Sequence, residues 1–82
     1  MQYAVNFWYD FDSDHATYLF SQIEDAKNFL RENYEWKIKS DKECGYEIKA
    51  HISEDGYEAK ILELLPSGKT STTIMFISSI YQ

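Results

Sequence analysis

The sequence predicts an α+β domain: a mostly antiparallel sheet of five to six strands with a single helix packed on one face. Three observations carry that expectation. One segment only, after Ser21, has apolar residues at helical spacing. The remaining apolar residues alternate with period two, as half-buried strands require. Glycine-containing turns at Asp55-Gly56 and Pro66-Ser67-Gly68-Lys69 divide the C-terminal half into hairpins. The expected element order is β(β)αββββ, with residues 1–82 forming a single domain.

The first strand is expected from Tyr3 to Phe11, with Tyr3, Val5, Phe7, Tyr9 and Phe11 on one face and Ala4, Asn6, Trp8 and Asp10 on the other. Asp12-Ser13-Asp14-His15 reads as a turn, and Ala16–Phe20 as a short returning strand. Ser21-Gln22-Ile23-Glu24 has the form of a capping box, in which the Ser hydroxyl accepts from the Glu24 N–H. The helix then runs to about Asn33, burying Ile23, Ala26, Phe29 and Leu30.

Strands alone are expected after the helix. Trp36 and Ile38 alternate with Glu35, Lys37 and Lys39, and Asp41-Lys42-Glu43 forms a polar connection. Tyr46, Ile48, Ala50 and Ile52 alternate with Glu47, Lys49 and His51. A two-residue Asp55-Gly56 turn sets Ile52 opposite Ala59 and Ala50 opposite Ile61. Leu62 and Leu64 break the alternation, which predicts a bulge near Ile61-Leu62 or a strand buried on both faces. The last strand, Thr70 to Tyr81, is apolar on both sides, and so belongs at the centre of the sheet or at an interface.

Eighty-two residues with 44% apolar and 17% aromatic content suffice for one modest core. Cys44 is the sole cysteine, so no intrachain disulfide forms. No leader-like pattern opens the sequence, and no apolar run is long enough to span a bilayer. The chain is therefore expected in the cytoplasm, away from membranes.

The net charge is −6, and it is unevenly spread. Residues 1–36 hold Asp10, Asp12, Asp14, Glu24, Asp25, Glu32 and Glu35 against Lys27 and Arg31, a balance of −5. Residues 37–82 balance to −1. Direct nucleic-acid binding needs clustered cations and is disfavoured. The acids either keep a small protein soluble or attract a basic protein partner. Glu24 and Asp25 also suit the positive end of the helix dipole.

Motifs that suggest chemistry fall short on inspection. Gly68-Lys69-Thr70 lacks the first glycine of a phosphate loop, since Glu63 stands there, and a strand follows it where a helix is needed. Asp10-x-Asp12-x-Asp14 opens like a calcium loop, but His15 and Ser21 occupy the positions that require Gly and Glu. His51 has Lys49 and Lys60 for neighbours, and nothing in the pattern supplies Cys44 with a basic activator. Lys37, Lys39, Lys49 and Lys60 would share a polar sheet face, interleaved with Glu35, Glu47 and Glu58 as cross-strand ion pairs. No enzyme, cofactor or metal is expected.

One helix of about twelve residues, about 18 Å long, covers one sheet face and not two. Trp8 and one side of the last strand are thus left needing cover from a curled sheet or from another chain. The expected function is a non-enzymatic protein-binding module, with Trp8, Asp10, Asp12, Asp14, Glu24, Asp25, Glu32 and Glu35 as contact residues. Its partner would be a protein with a basic surface, or a second copy in a homodimer. In size and charge the chain resembles the small acidic inhibitors that phages and mobile elements direct against restriction or CRISPR nucleases; no motif is shared. That resemblance implies carboxylates standing in for DNA phosphates.

Overall fold

The computed structural model describes residues 2–9 and 12–80, with the side chains of residues 12–15 excepted. Five strands and one helix follow in the order β1 (Gln2–Tyr9), β2 (Asp12–Phe20), α1 (Ile23–Glu43), β3 (Glu47–Ile52), β4 (Glu58–Leu64) and β5 (Thr70–Ile80). The strands form one antiparallel sheet, ordered β2-β1-β5-β4-β3, and the helix packs on one face. The α+β class is as expected, and β5 lies at the centre of the sheet, paired on both sides.

The helix is nearly twice its expected length, at 21 residues. It takes in Glu35–Lys39, which had been assigned to a strand, and the Asp41-Lys42-Glu43 connection. The Trp36/Ile38 alternation spans too few residues to outweigh the longer stripe of Ala26, Leu30, Tyr34, Ile38 and Asp41, and no Gly or Pro lies between residues 22 and 44. Three strands therefore follow the helix, not four.

Both helix ends also differ from expectation. Gln22 is the N-cap, extended at φ −119° and ψ 133°, and no side chain caps it, so Ser21 and Glu24 form no capping box. The C-terminal stop is a Schellman motif. The Gly45 N–H donates to the Lys42 carbonyl at 3.0 Å, and the Tyr46 N–H to the Asp41 carbonyl at 3.0 Å, with Gly45 at φ +80°.

Residues 12–15 begin β2 and do not form a turn. A register shift lies between Phe7 and Tyr9, where β1 meets β2. β4 carries no bulge and is not buried on both faces. It alternates regularly, with Ala59, Ile61 and Glu63 buried and Leu62 and Leu64 exposed. The β3–β4 register is the expected one, with Ile52 opposite Ala59 and Ala50 opposite Ile61. Its loop, however, spans four residues, 54–57. It is closed by the Ser53 N–H donating to the Glu58 carbonyl at 2.8 Å, and Asp55 accepts from the Ser53 hydroxyl at 2.7 Å. Pro66-Ser67-Gly68 forms the β4–β5 turn, with the Gly68 N–H donating to the Leu65 carbonyl at 2.9 Å.

The core lies between helix and sheet: Val5, Phe7, Ala26, Leu30, Ala59, Ile61 and Met75. Phe29 anchors its β1–β2 side through ring contacts with Phe7 (5.9 Å), Tyr18 (4.9 Å) and Phe20 (5.1 Å). With one helix on one sheet, the domain has two layers and measures 17 Å through its thinnest direction.

Candidate interaction surface

Pleating sends alternate side chains to opposite faces, so each inward residue of the core leaves its neighbour pointing away from the helix. In β1 the outward residues are Gln2, Ala4, Asn6 and Trp8. In β5 they are Thr70, Thr72, Ile74, Phe76, Ser78 and Ile80; in β4, Glu58, Lys60, Leu62 and Leu64. The register lines them up in rows. Trp8 lies beside Ile74, Ile74 beside Lys60, and Lys60 beside His51. Asn6 lies beside Phe76, and Phe76 beside Glu58. Thr72, Leu62 and Lys49 form a further row, and Thr70, Leu64 and Glu47 another.

This face is rich in apolar residues, and no described element packs over it. Trp8 is 38% exposed and Phe76 40%; Leu62, Leu64, Ile80 and Leu19 are exposed as well, and Ile74 is half-buried. A shallow groove of about 240 Å³ runs between Lys49, Leu62, Leu64 and Thr70. On the β1 side polar side chains link β2, β1 and β5 across the face. The Asn6 amide donates to Ser78 Oγ at 3.1 Å, and the Thr17 hydroxyl donates to Asn6 Oδ1 at 3.1 Å. Charges at the β3–β4 side are balanced, with Lys49 and Lys60 set among Glu47 and Glu58. Lys37 and Lys39 belong to the helix, so the four-lysine sheet platform does not form.

The residues expected at the contact surface do not all lie together. Trp8 is on the open sheet face. Glu24, Asp25, Glu32 and Glu35 are exposed along α1, in the other layer of the molecule. One flat partner surface meets Trp8 or the helix acids, not both. Asp10 lies outside the described residues. Asp12 and Asp14 contribute backbone to β2, and their side chains are likewise outside the description. Among the described residues no three His, Cys, Asp or Glu converge on a point. Cys44 is an exposed free thiol just past the helix end. No described helix is long and apolar enough to cross a membrane.

Two features escaped the sequence reading. The first is Trp36, 67% exposed on the outer side of α1, which a strand assignment had left undefined. The second is a buried polar cluster at the C-terminal end of the helix. Lys37 Nζ lies 3.4 Å from Asp41 Oδ1 and 3.6 Å from Glu63 Oε1, and the Thr73 hydroxyl donates to Glu63 Oε1 at 3.4 Å. Both carboxylates are almost wholly buried, and Asp41 Oδ2 has no hydrogen-bond partner. Burial raises the Glu63 carboxyl above its ordinary value; the Lys37 ammonium opposes that shift, and the Asp41 carboxylate adds to it. A signal for the cluster was present. Extending the Ala59, Ile61 alternation by one step turns Glu63 inward, and Lys37 and Asp41 are one helical turn apart. A groove of about 360 Å³ opens beside it, lined by Tyr46, Leu65, Lys69 and Thr70 among others. Lys37 Nζ, Glu63 Oε1 and the Thr73 hydroxyl join helix to sheet there.

Comparison with protein-family models, with curated proteins and with solved structures finds no match for this chain.

Proposed function

We propose that this chain is a non-enzymatic protein-binding module whose working surface is the open face of its sheet. The observation that carries the reading is the set of outward apolar residues Trp8, Ile74, Phe76, Leu62 and Leu64, on neighbouring strands β1, β5 and β4, over which no described element packs. Contiguous apolar patches on small proteins mark interaction sites, and a central aromatic pair is the usual energetic anchor of one. The partner is a protein, not a nucleic acid or a membrane, since the cations of this face are matched by carboxylates and its centre is apolar.

A second reading rests on the helix. Glu24, Asp25, Glu32 and Glu35 are exposed on α1, while Lys27 is turned onto the Tyr57 ring, its Nζ 4.9 Å from the ring centroid. Arg31 is then the one exposed cation of the described residues between 23 and 36. Such a surface suits a basic groove on a nucleic-acid enzyme, in the manner of a phage-type acidic inhibitor that mimics DNA.

Affinity capture from the native host, read by mass spectrometry, separates the two. Loss of the captured protein with Trp8→Ala or Phe76→Glu, and not with Glu24, Asp25, Glu32 and Glu35 changed to their amides, supports the sheet face. The reverse pattern selects the acidic helix. Retention by every variant would falsify both.

A further inference from the structure

We infer that the occupant of the open sheet face is a second copy of this chain, the two sheets packing face to face with their helices outermost. The inference rests on the binding-module reading and adds the partner's identity.

The molecule is extended for its size and exposes more surface than a compact chain of its mass. A compact chain of 82 residues has a radius of gyration of about 12 Å by the size scaling of domains. This one has 13.4 Å. A 9.7 kDa monomer exposes about 5,100 Å² by the area scaling; this chain exposes 5595 Å². Both excesses go with an elongated two-layer shape, 45 × 24 × 17 Å, in which the sheet keeps one face open.

The area available meets what a stable dimer needs. Five strands spaced about 4.8 Å apart, each at least six residues long at about 3.3 Å per residue, present a face of about 500 to 600 Å². Two such faces remove about 1,000 to 1,200 Å² from water, which reaches the lower end of specific interfaces. Sheets stack about 10 Å apart with side chains interdigitated. The outward Trp8, Phe76, Leu62 and Leu64 are of the size that fills such a gap.

Charge permits the pairing despite the net −6. Among the described residues the open face itself is balanced: Glu47 and Glu58 against Lys49 and Lys60, with His51 beside them. The surplus acids Glu24, Asp25, Glu32 and Glu35 are on α1, which would sit on the outside of the pair. Two helix layers and one sheet-to-sheet gap hold them about 30 Å apart across the dimer. That is several Debye lengths at physiological salt, where the length is about 8 Å, so their repulsion is screened. A two-fold arrangement uses the same patch on each chain, and so needs no second complementary surface.

The test is sedimentation equilibrium across nanomolar to tens of micromolar chain. The expected result is a reversible rise to twice the 9.7 kDa chain mass. Leu62→Glu and Phe76→Glu should each hold the mass at one chain with the far-UV circular dichroism unchanged, while Trp36→Ala on the helix leaves the dimer intact. Should the charged variants not fold, Trp36→Phe leaves Trp8 as the single tryptophan, and its emission should shift to the blue as concentration rises. One-chain mass at every concentration with constant Trp8 emission overturns the inference, as does a dimer indifferent to Leu62→Glu and Phe76→Glu. If the chain is monomeric and the open-face variants still abolish capture of a cellular protein, the second copy is wrong and the binding module stands. If neither property depends on the face, both readings fall.

Discussion

Lys37 of the helix and Glu63 of the sheet meet at 3.6 Å, an ion pair set across the one seam that holds the two layers together. Glu63 is 3% exposed, and its charge is the more difficult of the two to keep in that place. Because its carboxyl is raised above the ordinary 4.5, the folded chain holds this proton more tightly than the unfolded chain does. Stability must then fall as pH rises from about that value through the folded one, since the unfolded state binds fewer protons there. Glu63→Gln keeps the shape and removes the titration. Its stability relative to the parent should grow from acid to neutral pH in urea unfolding. A constant or shrinking difference would contradict the assignment.

Lys37→Met leaves Asp41 and Glu63 as neighbouring buried carboxylates without their cation. Removing one member of a fully buried pair costs about 3 to 5 kcal/mol. Lys37 is a quarter exposed, so the expected loss is smaller, about 2 kcal/mol. Equilibrium unfolding at neutral pH reads it, and the loss should shrink as the pH is lowered toward protonation of Glu63.

Leu30 is fully buried at the centre of the core. Leu30→Ala should cost about 3 kcal/mol, at the same value for every protein concentration. Leu62→Ala on the open face should cost little in dilute solution and more as concentration rises, if the face is filled by a second chain. Paired thermal melts at two concentrations make the comparison.

Gly45 has φ +80° and open space where a Cβ would be. The cost of Gly45→Ala is therefore conformational alone, about 1 kcal/mol, read as a lowered unfolding midpoint. A neutral result would remove the Schellman stop from the account of where the helix ends.

Gln22 occupies an extended N-cap with no side-chain hydrogen bond. Gln22→Asp places an acceptor over the first free N–H groups and a negative charge at the positive end of the helix. It should stabilise by about 1 kcal/mol. An unchanged melting temperature would show that another group already satisfies these donors.

The parts of the fold legible in the sequence were those specified by local pattern. Period-two alternation located β1 and β3 and the start of β4, the turn signals marked the second half of β2, the loop at Asp55-Gly56 set the β3–β4 register, and the apolar character of β5 on both sides placed it centrally. The helix was cut short because Glu35–Lys39 satisfies both periods over a few residues, and only a longer window separates them. Its true stop, Gly45, lies beyond the point at which the helix was expected to end. The uncovered face was legible from Trp8 and β5 together. Leu62 and Leu64 belong to it too, but they were read as an irregularity because the period-two rule assumes that the solvent side is polar. The buried Lys37–Asp41–Glu63 cluster depends on elements distant in sequence and on the longer helix, so no local pattern displayed it whole.

The strand order also bears on how the chain is made. β1–β2 and β3–β4 are separate hairpins, and β5 alone hydrogen-bonds to both of them. On the ribosome the two halves emerge in turn, joined by the helix and lacking a common strand until residues 70–80 are released. Sheet closure thus waits on residues 70–80 and is dominated by pairings as distant as Gln2 with Ile80. A topology of that kind folds slowly for its size and leaves nascent hairpin edges open to chaperones or to neighbouring chains in the interval.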